Sequence, residues 1–197
     1  MTKTEEIKKL QQIVEDCDKC TLRKGCQKVV FGAGNPEAKI MLIGEGPGAE
    51  EDKTGMPFVG RAGQLLDKIL EACGFNRKDH IYIANIVKCR PPKNRVPSPE
   101  ERAACLPYLK EQINIIEPKI IILLGATALQ GLIDPQAKIT KMRGDWIKFQ
   151  NICTMPTYHP AALLRNPRLK APAWEDYKKV VQKYRELVNH DHYSAQC

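Results

Sequence analysis

Lys39-Ile40-Met41-Leu42-Ile43-Gly44-Glu45-Gly46-Pro47-Gly48-Ala49-Glu50-Glu51-Asp52-Lys53-Thr54-Gly55 is the stretch that decides the fold. Ile40 to Ile43 is a continuous apolar run, as a strand covered on both faces requires. A loop rich in glycine, proline and acids follows, and a helical pattern opens near Arg61. Strand, glycine-rich loop and helix in that order put the loop at the carboxyl end of a parallel sheet, where open α/β folds bind ligands. The glycines let backbone N–H groups approach a ligand closely. The acids of the loop bring possible general-base chemistry. No Lys-Ser/Thr pair follows the glycines, so this is not a phosphate cradle of the P-loop kind.

Working outward, residues 61–73 read as a helix stopped by Gly74, and 81–87 as a second strand. Asn85 is a poor strand residue there. It reads either as a hydrogen-bonded buried amide or as an amide facing a ligand. Residues 119–125 form a third strand, followed by a short helix over 126–132. Residues 151–157 form a fourth, running into Tyr158-His159-Pro160. Residues 140–148 look basic and irregular. This alternation predicts an α/β fold, a three-layer α/β/α sandwich around a central, mostly parallel sheet of four strands.

One domain over 1–197 is expected, with an N-terminal helix and cysteine-bearing segment (1–38) packed on it and a frayed tail over 189–197. The first helix, 4–17, carries a Thr2/Glu5 capping box, and Ser98-Pro99-Glu100-Glu101 opens another by the same device. Pro107 predicts a kink beside Cys105. The last helix, 172–188, buries Trp174, Tyr177, Val181, Tyr184 and Val188 on one face. His190 and His192 receive no role.

The net charge of +8 favours a polyanionic partner. No apolar run approaches a membrane span and no signal-peptide pattern opens the chain, so a cytoplasmic, nucleoid-associated protein is expected. Eight cysteines in a reducing compartment point to metal ligation rather than disulfides. Cys17-Asp18-Lys19-Cys20 has ligand spacing, and Cys89 and Cys105 bracket a proline-rich loop. Four thiolates suit a [4Fe–4S] cluster or a tetrahedral zinc, and ligand count does not choose between them. Cys26 reads as a further ligand or a small buried hydrophobe. Lys88, Arg90, Lys93 and Arg95 make the intervening loop a phosphate track or a solvated surface.

Glu45, Glu51, Asp52, Phe58, Asn85 and His159 all fall at or after predicted strand ends, so they can converge. Phe58 suits stacking on a planar ring. Asn85 offers donor and acceptor to a base edge, and His159 suits stabilising charge on a leaving group. From the residues alone, the reading reaches a planar polar ligand in a strand-end pocket near nucleic acid.

Three motifs carry a resemblance across residues 17–167. They are Gly44-Glu45-Gly46-Pro47-Gly48 with Pro57-Phe58-Val59-Gly60-Arg61-Ala62-Gly63, then Asn85-Ile86-Val87-Lys88-Cys89-Arg90-Pro91-Pro92, then His159-Pro160 through Asn166-Pro167. In this order they resemble the family 4 uracil-DNA glycosylases, iron–sulfur enzymes that act on uracil-containing DNA. The resemblance implies a [4Fe–4S] cluster on Cys17, Cys20, Cys89 and Cys105, with Cys26 outside the ligand set. It implies a uracil pocket of Glu45, Gly46, Pro47, Phe58, Asn85 and His159. The resemblance leaves open which acid handles water; Glu45 and Glu51 are the candidates, with Asn94 as a candidate water positioner. The resemblance makes Leu163 the match for the wedge that fills the vacated base stack, and Arg165 and Arg95 are the expected phosphate contacts. A monomer suffices for this chemistry. Two other classes fit part of the sequence: a non-catalytic metal-dependent nucleic-acid module and an electron-transfer iron–sulfur protein. Neither uses the Glu45 loop, Phe58 and Asn85.

Overall fold

The computed structural model describes residues 1–197. In chain order, α1 (Lys3–Glu15) is followed by β1 (Ala33–Gly34) and β2 (Ile40–Gly44). Then α2 (Ala49–Thr54) and α3 (Arg61–Ala72) lead to β3 (Ile81–Asn85), and α4 (Pro99–Ile116) leads to β4 (Ile120–Leu124). Next come α5 (Ala126–Leu132), α6 (Ile139–Met142), β5 (Ile147–Phe149) and β6 (Ile152–Thr157). The chain closes with α7 (Pro160–Arg165) and α8 (Lys170–Leu187).

The sheet order is β1-β3-β2-β4-β6-β5. The four central strands are parallel and are the four expected from the apolar runs. The sheet nevertheless has six strands, because β1 and β5 add short antiparallel edges. Two and three residues are too few to show a period, which is why the pattern missed them. β5 returns to β6 through Gln150 and Asn151, both at positive φ (47° and 67°), the backbone a tight hairpin of right-handed twist needs.

Alternate residues of each central strand feed opposite faces. Met41, Ile43, Ile121 and Leu123 pack with Leu10 and Val14 of α1 and Leu109, Ile113 and Ile116 of α4. Ile40, Leu42, Ile120 and Ile122 pack with Leu66 and Leu70 of α3 and Tyr177, Val180 and Val181 of α8. The result is the expected α/β/α sandwich. The α1 capping box forms as read, with Glu5 N–H donating to Thr2 Oγ1, and so does the Ser98/Glu101 box of α4. Helix α4 continues from Pro99 to Ile116 with Pro107 inside it.

Two expectations are corrected. The loop after β2 is not irregular throughout, since Ala49–Thr54 forms α2. The tail is docked rather than frayed. The His192 ring stacks on Phe75 at 4.5 Å between centroids, its Nε2 lies 2.9 Å from the Cys73 carbonyl, and Ser194 Oγ donates to the Ala72 carbonyl. Aromatic burial against α3 and α8 outweighs the tail's polar composition.

In this sheet β2 leads to β3 on one side and, by way of β3, to β4 on the other. The crevice at their carboxyl ends is therefore a topological switch point, the standard ligand position in open α/β sheets.

Candidate active site

A cleft of about 530 Å³ opens at that switch point. Residues that follow four parallel strands line it: Glu45–Gly48 after β2, Asn85 ending β3, Gly125–Thr127 after β4 and Tyr158–His159 after β6. Glu51, Phe58, Asn94, Arg95 and Arg165 complete the wall, so ten of the residues singled out from the sequence converge there.

Asn85 is 1 % exposed, and its Oδ1 has no hydrogen-bond partner in the protein. A buried polar atom without a partner is unfavourable unless something else satisfies it. Beneath it lies Gly44. A Cβ there would stand 2.5 Å from Asn85 Oδ1 and 2.7 Å from the Phe58 ring, so only glycine lets amide and ring share this floor.

Phe58 is held in an unusual backbone state, with φ of 52°. Arg77 donates to the Pro57 carbonyl at 2.9 Å and to the Phe58 carbonyl at 2.6 Å. Glu51 accepts the N–H groups of Val59 and Gly60 at 2.9 and 2.8 Å, and that of Gly48 at 3.1 Å. The Glu51 carboxylate is thus spent on three backbone donors and on the amino end of α3, where negative charge is favourable. Gly63 completes the clamp, since a Cβ there would fall 1.8 Å from the Phe58 carbonyl oxygen. The Phe58 ring lies 5.4 Å from the His159 ring.

Glu45 is the less committed of the two candidate acids. Its Oε2 accepts a short hydrogen bond from Thr127 Oγ1, a partner that sequence reading did not single out. Thr127 follows β4 by three residues, so strand-end position was the available signal. Asp52 is a correction: it is buried on the inner side of α2, outside the cleft, where it accepts Gln27 N–H at 2.9 Å and anchors the N-terminal segment.

His159 is the N-cap of α7, and its Nδ1 accepts the Ala161 N–H at 3.1 Å. A ring whose Nδ1 accepts carries its proton on Nε2. Burial and then the Arg165 charge lower its pKa from 6.5 to about 4, against a smaller upward pull from Glu51. At neutral pH it is therefore an uncharged Nε2–H donor.

Asn94 Oδ1 accepts from Arg90 Nε at 2.8 Å. Arg95 is half exposed and forks onto Glu101 at 2.8 and 2.7 Å. That hydrogen-bonded pair holds Glu101 down at about 2. Thr21 also donates to Glu101, so the pair ties the proline loop to the cysteine segment. Arg165 is exposed at the cleft rim.

Leu163 corrects the expected wedge. It is 1 % exposed and faces Leu65, Ile69, Trp174 and Tyr177, because α7 turns that side onto α3 and α8. Its neighbour Leu164 is 38 % exposed. Lys88 is a second surprise: read as a loop cation, it is fully buried, with burial lowering its pKa to about 8.

Cys17, Cys20, Cys89 and Cys105 line one cavity together with Val14, Leu22, Val29, Val87 and Tyr108. No three Cys, His, Asp or Glu side chains are set to hold a single ion. Burial pushes the Cys89 and Cys105 thiols up, so they ionise only with positive charge to receive them. Cys26 lies beside Cys89 but does not line the cavity. No helix is long and apolar enough to cross a membrane.

The profile of the uracil DNA glycosylase superfamily matches residues 31–181. The chain is 47% identical to a type-4 uracil-DNA glycosylase of Thermotoga maritima, over 90% of this chain and 94% of the relative. It is 44% identical to that of Sulfurisphaera tokodaii, covering 89% and 84%, and 42% identical to that of Pyrobaculum aerophilum, covering 87% and 91%.

Proposed function

The chain belongs to the uracil DNA glycosylase superfamily, and on that premise we propose how its cleft serves a type-4 uracil-DNA glycosylase. The enzyme is a DNA N-glycosylase that removes uracil from DNA in repair. Uracil leaves the stack and enters the cleft against the Phe58 ring. Extrusion costs a few kcal/mol and is cheapest at a mismatch. The unpartnered Oδ1 of Asn85 is the observation that carries this reading: it meets the uracil N3–H, while the same amide offers N–H to O4. The Glu45-Gly46-Pro47 backbone walls the pocket.

Catalysis consists of breaking the C1′–N1 bond as a water oxygen bonds to C1′. The bonding pair leaves with the base, and negative charge develops at O2. His159 Nε2–H donates to O2, and as a neutral donor it stabilises the anion without first losing a charge. Glu45, oriented by Thr127, takes the water proton. Asn94 places the water. Glu51 is a positioning residue for Phe58. Arg165 meets phosphate and Leu164, rather than Leu163, fills the vacated stack. One chain contains the whole cleft, which supports a monomer.

Cys17, Cys20, Cys89 and Cys105 would hold a [4Fe–4S] cluster, which contributes cross-linking and fixed charge and takes no part in the chemistry on the base. The donor set fits: four cysteine sulfurs, the donors such a cluster takes, line one cavity, and the buried Lys88 lines it too.

The deciding experiment measures uracil release from a U·G duplex, with a thymine duplex as blank. Asn85→Ala is expected to lower kcat/KM about 10- to 100-fold, the effect of losing a buried hydrogen-bond partner. No uracil release by the iron-loaded wild type overturns the reading.

A further inference from the structure

Lys88 is a buried ammonium without a carboxylate. It is 1 % exposed and belongs to none of the chain's ion pairs. Its Nζ donates to the Asn85 carbonyl at 3.0 Å and to Gln112 Oε1 at 2.6 Å. Gln112 is fixed in turn, donating to the Phe31 carbonyl at 3.0 Å and to Tyr82 Oη at 3.4 Å. These partners take two of the three Nζ protons and supply no charge. An unpaired buried charge is strongly unfavourable, so the fold must obtain a counter-charge elsewhere.

The geometry points to its source. Lys88 lines the four-cysteine cavity. Cys105 lines the same cavity, and the positive charge of Lys88 favours its thiolate. Four thiolates around a dipositive core leave about two net negative charges in that cavity. The other cations of the cavity, Lys19 and Arg23, lie on its more open side, with Lys19 exposed over the Tyr108 ring. Of these cations Lys88 is the one bonded to a residue of the base pocket, through the Asn85 carbonyl.

We infer that Lys88 is the internal counter-ion of the four-thiolate centre and, through the same ammonium, the strut that holds the Asn85 peptide in place. This rests on the reading of the cysteines given above. It assigns the centre a route to the base pocket: its charge retains Lys88, and Lys88 fixes the main chain of the residue that reads the base. Lys88 is a positioning residue and touches no reacting atom.

The test compares wild type, Lys88→Met and Gln112→Glu, each melted with iron in place and after chelation. Met keeps the stem and deletes the charge. Glu at 112 gives Lys88 a partner within the chain. A lysine that merely filled space would leave the fall in Tm on iron removal equal in all three. The inference expects that fall to be at least halved in both variants, since neither then strands a bare ammonium. Iron-loaded Lys88→Met should also release uracil with kcat lowered about 10-fold and KM for DNA within about twofold, because the phosphate contacts lie elsewhere. Equal falls in Tm, or an unchanged kcat in Lys88→Met, overturn it. If Lys88→Met does not fold, Gln112→Glu decides by the same comparison. A wild type that binds no iron removes this inference together with the reading of the cysteines, whereas an iron-loaded wild type with equal falls removes this inference alone.

Discussion

Lowering the pH from 7 to 5 tests His159 directly. Its Nδ1 accepts the Ala161 N–H, and burial with Arg165 brings its pKa from 6.5 to about 4. The folded state therefore takes up this proton later than the unfolded chain. Between those two values the unfolded state binds more protons, so stability falls as pH falls. A shift of this size amounts to about 3 kcal/mol once both states are protonated, of which about 2 kcal/mol is lost between pH 7 and 5. The assay is urea denaturation of the iron-loaded wild type and of His159→Gln at both pH values. The wild type should lose about 2 kcal/mol more than the variant over that interval. His80 and His192 are present in both proteins and cancel. Uracil release provides the second readout: the wild-type kcat profile should show no limb near pH 6.5, because the imidazole is already neutral there. Equal pH dependence of stability in the two proteins, or a limb near 6.5 that disappears in His159→Gln, refutes the neutral Nε2–H donor.

Gly44→Ala places a methyl group 2.5 Å from Asn85 Oδ1 and 2.7 Å from the Phe58 ring. Overpacking of this kind costs about 1–3 kcal/mol, so kcat/KM for U·G duplex should fall by about 10-fold or more while far-UV circular dichroism stays unchanged. Leu163→Ala should cost about 2–5 kcal/mol in denaturant unfolding, since a fully buried leucine is removed. Leu164→Ala should leave stability within about 0.5 kcal/mol. It should slow release from duplex about 10-fold and spare single-stranded substrate, where no stack is vacated.

Much of the fold is legible without coordinates, for one physical reason. Strands buried on both faces must be largely apolar, and β2 and β4 are written that way throughout, β3 up to Asn85, while β6 mixes Thr154 and Thr157 with apolar residues. The helix starts at Thr2 and Ser98 are legible too, because a cap is a local bargain between neighbouring residues. The candidate site was legible to the extent that strand ends converge, which brought Glu45, Phe58, Asn85 and His159 to one cleft. The edge strands were not, because their pairing comes from across the sheet rather than from their own two or three residues.

Division of labour within the cleft depended on what each side chain meets from distant elements. Glu45 and Glu51 look alike in the loop, yet one meets Thr127 from the end of β4 and the other meets three backbone N–H groups. Leu163 and Leu164 differ only in which side of α7 faces α3 and α8. Lys88 reads as a solvated loop cation until α4 closes over it with Gln112. Thus the sequence by itself determined the layer order, the central strands and the chemical types gathered at their ends, since these follow from local hydrophobic period and capping. Only the tertiary structure decided which acid is free, which leucine is exposed, which imidazole nitrogen carries the proton and which cation is buried, since each depends on partners far away in the chain.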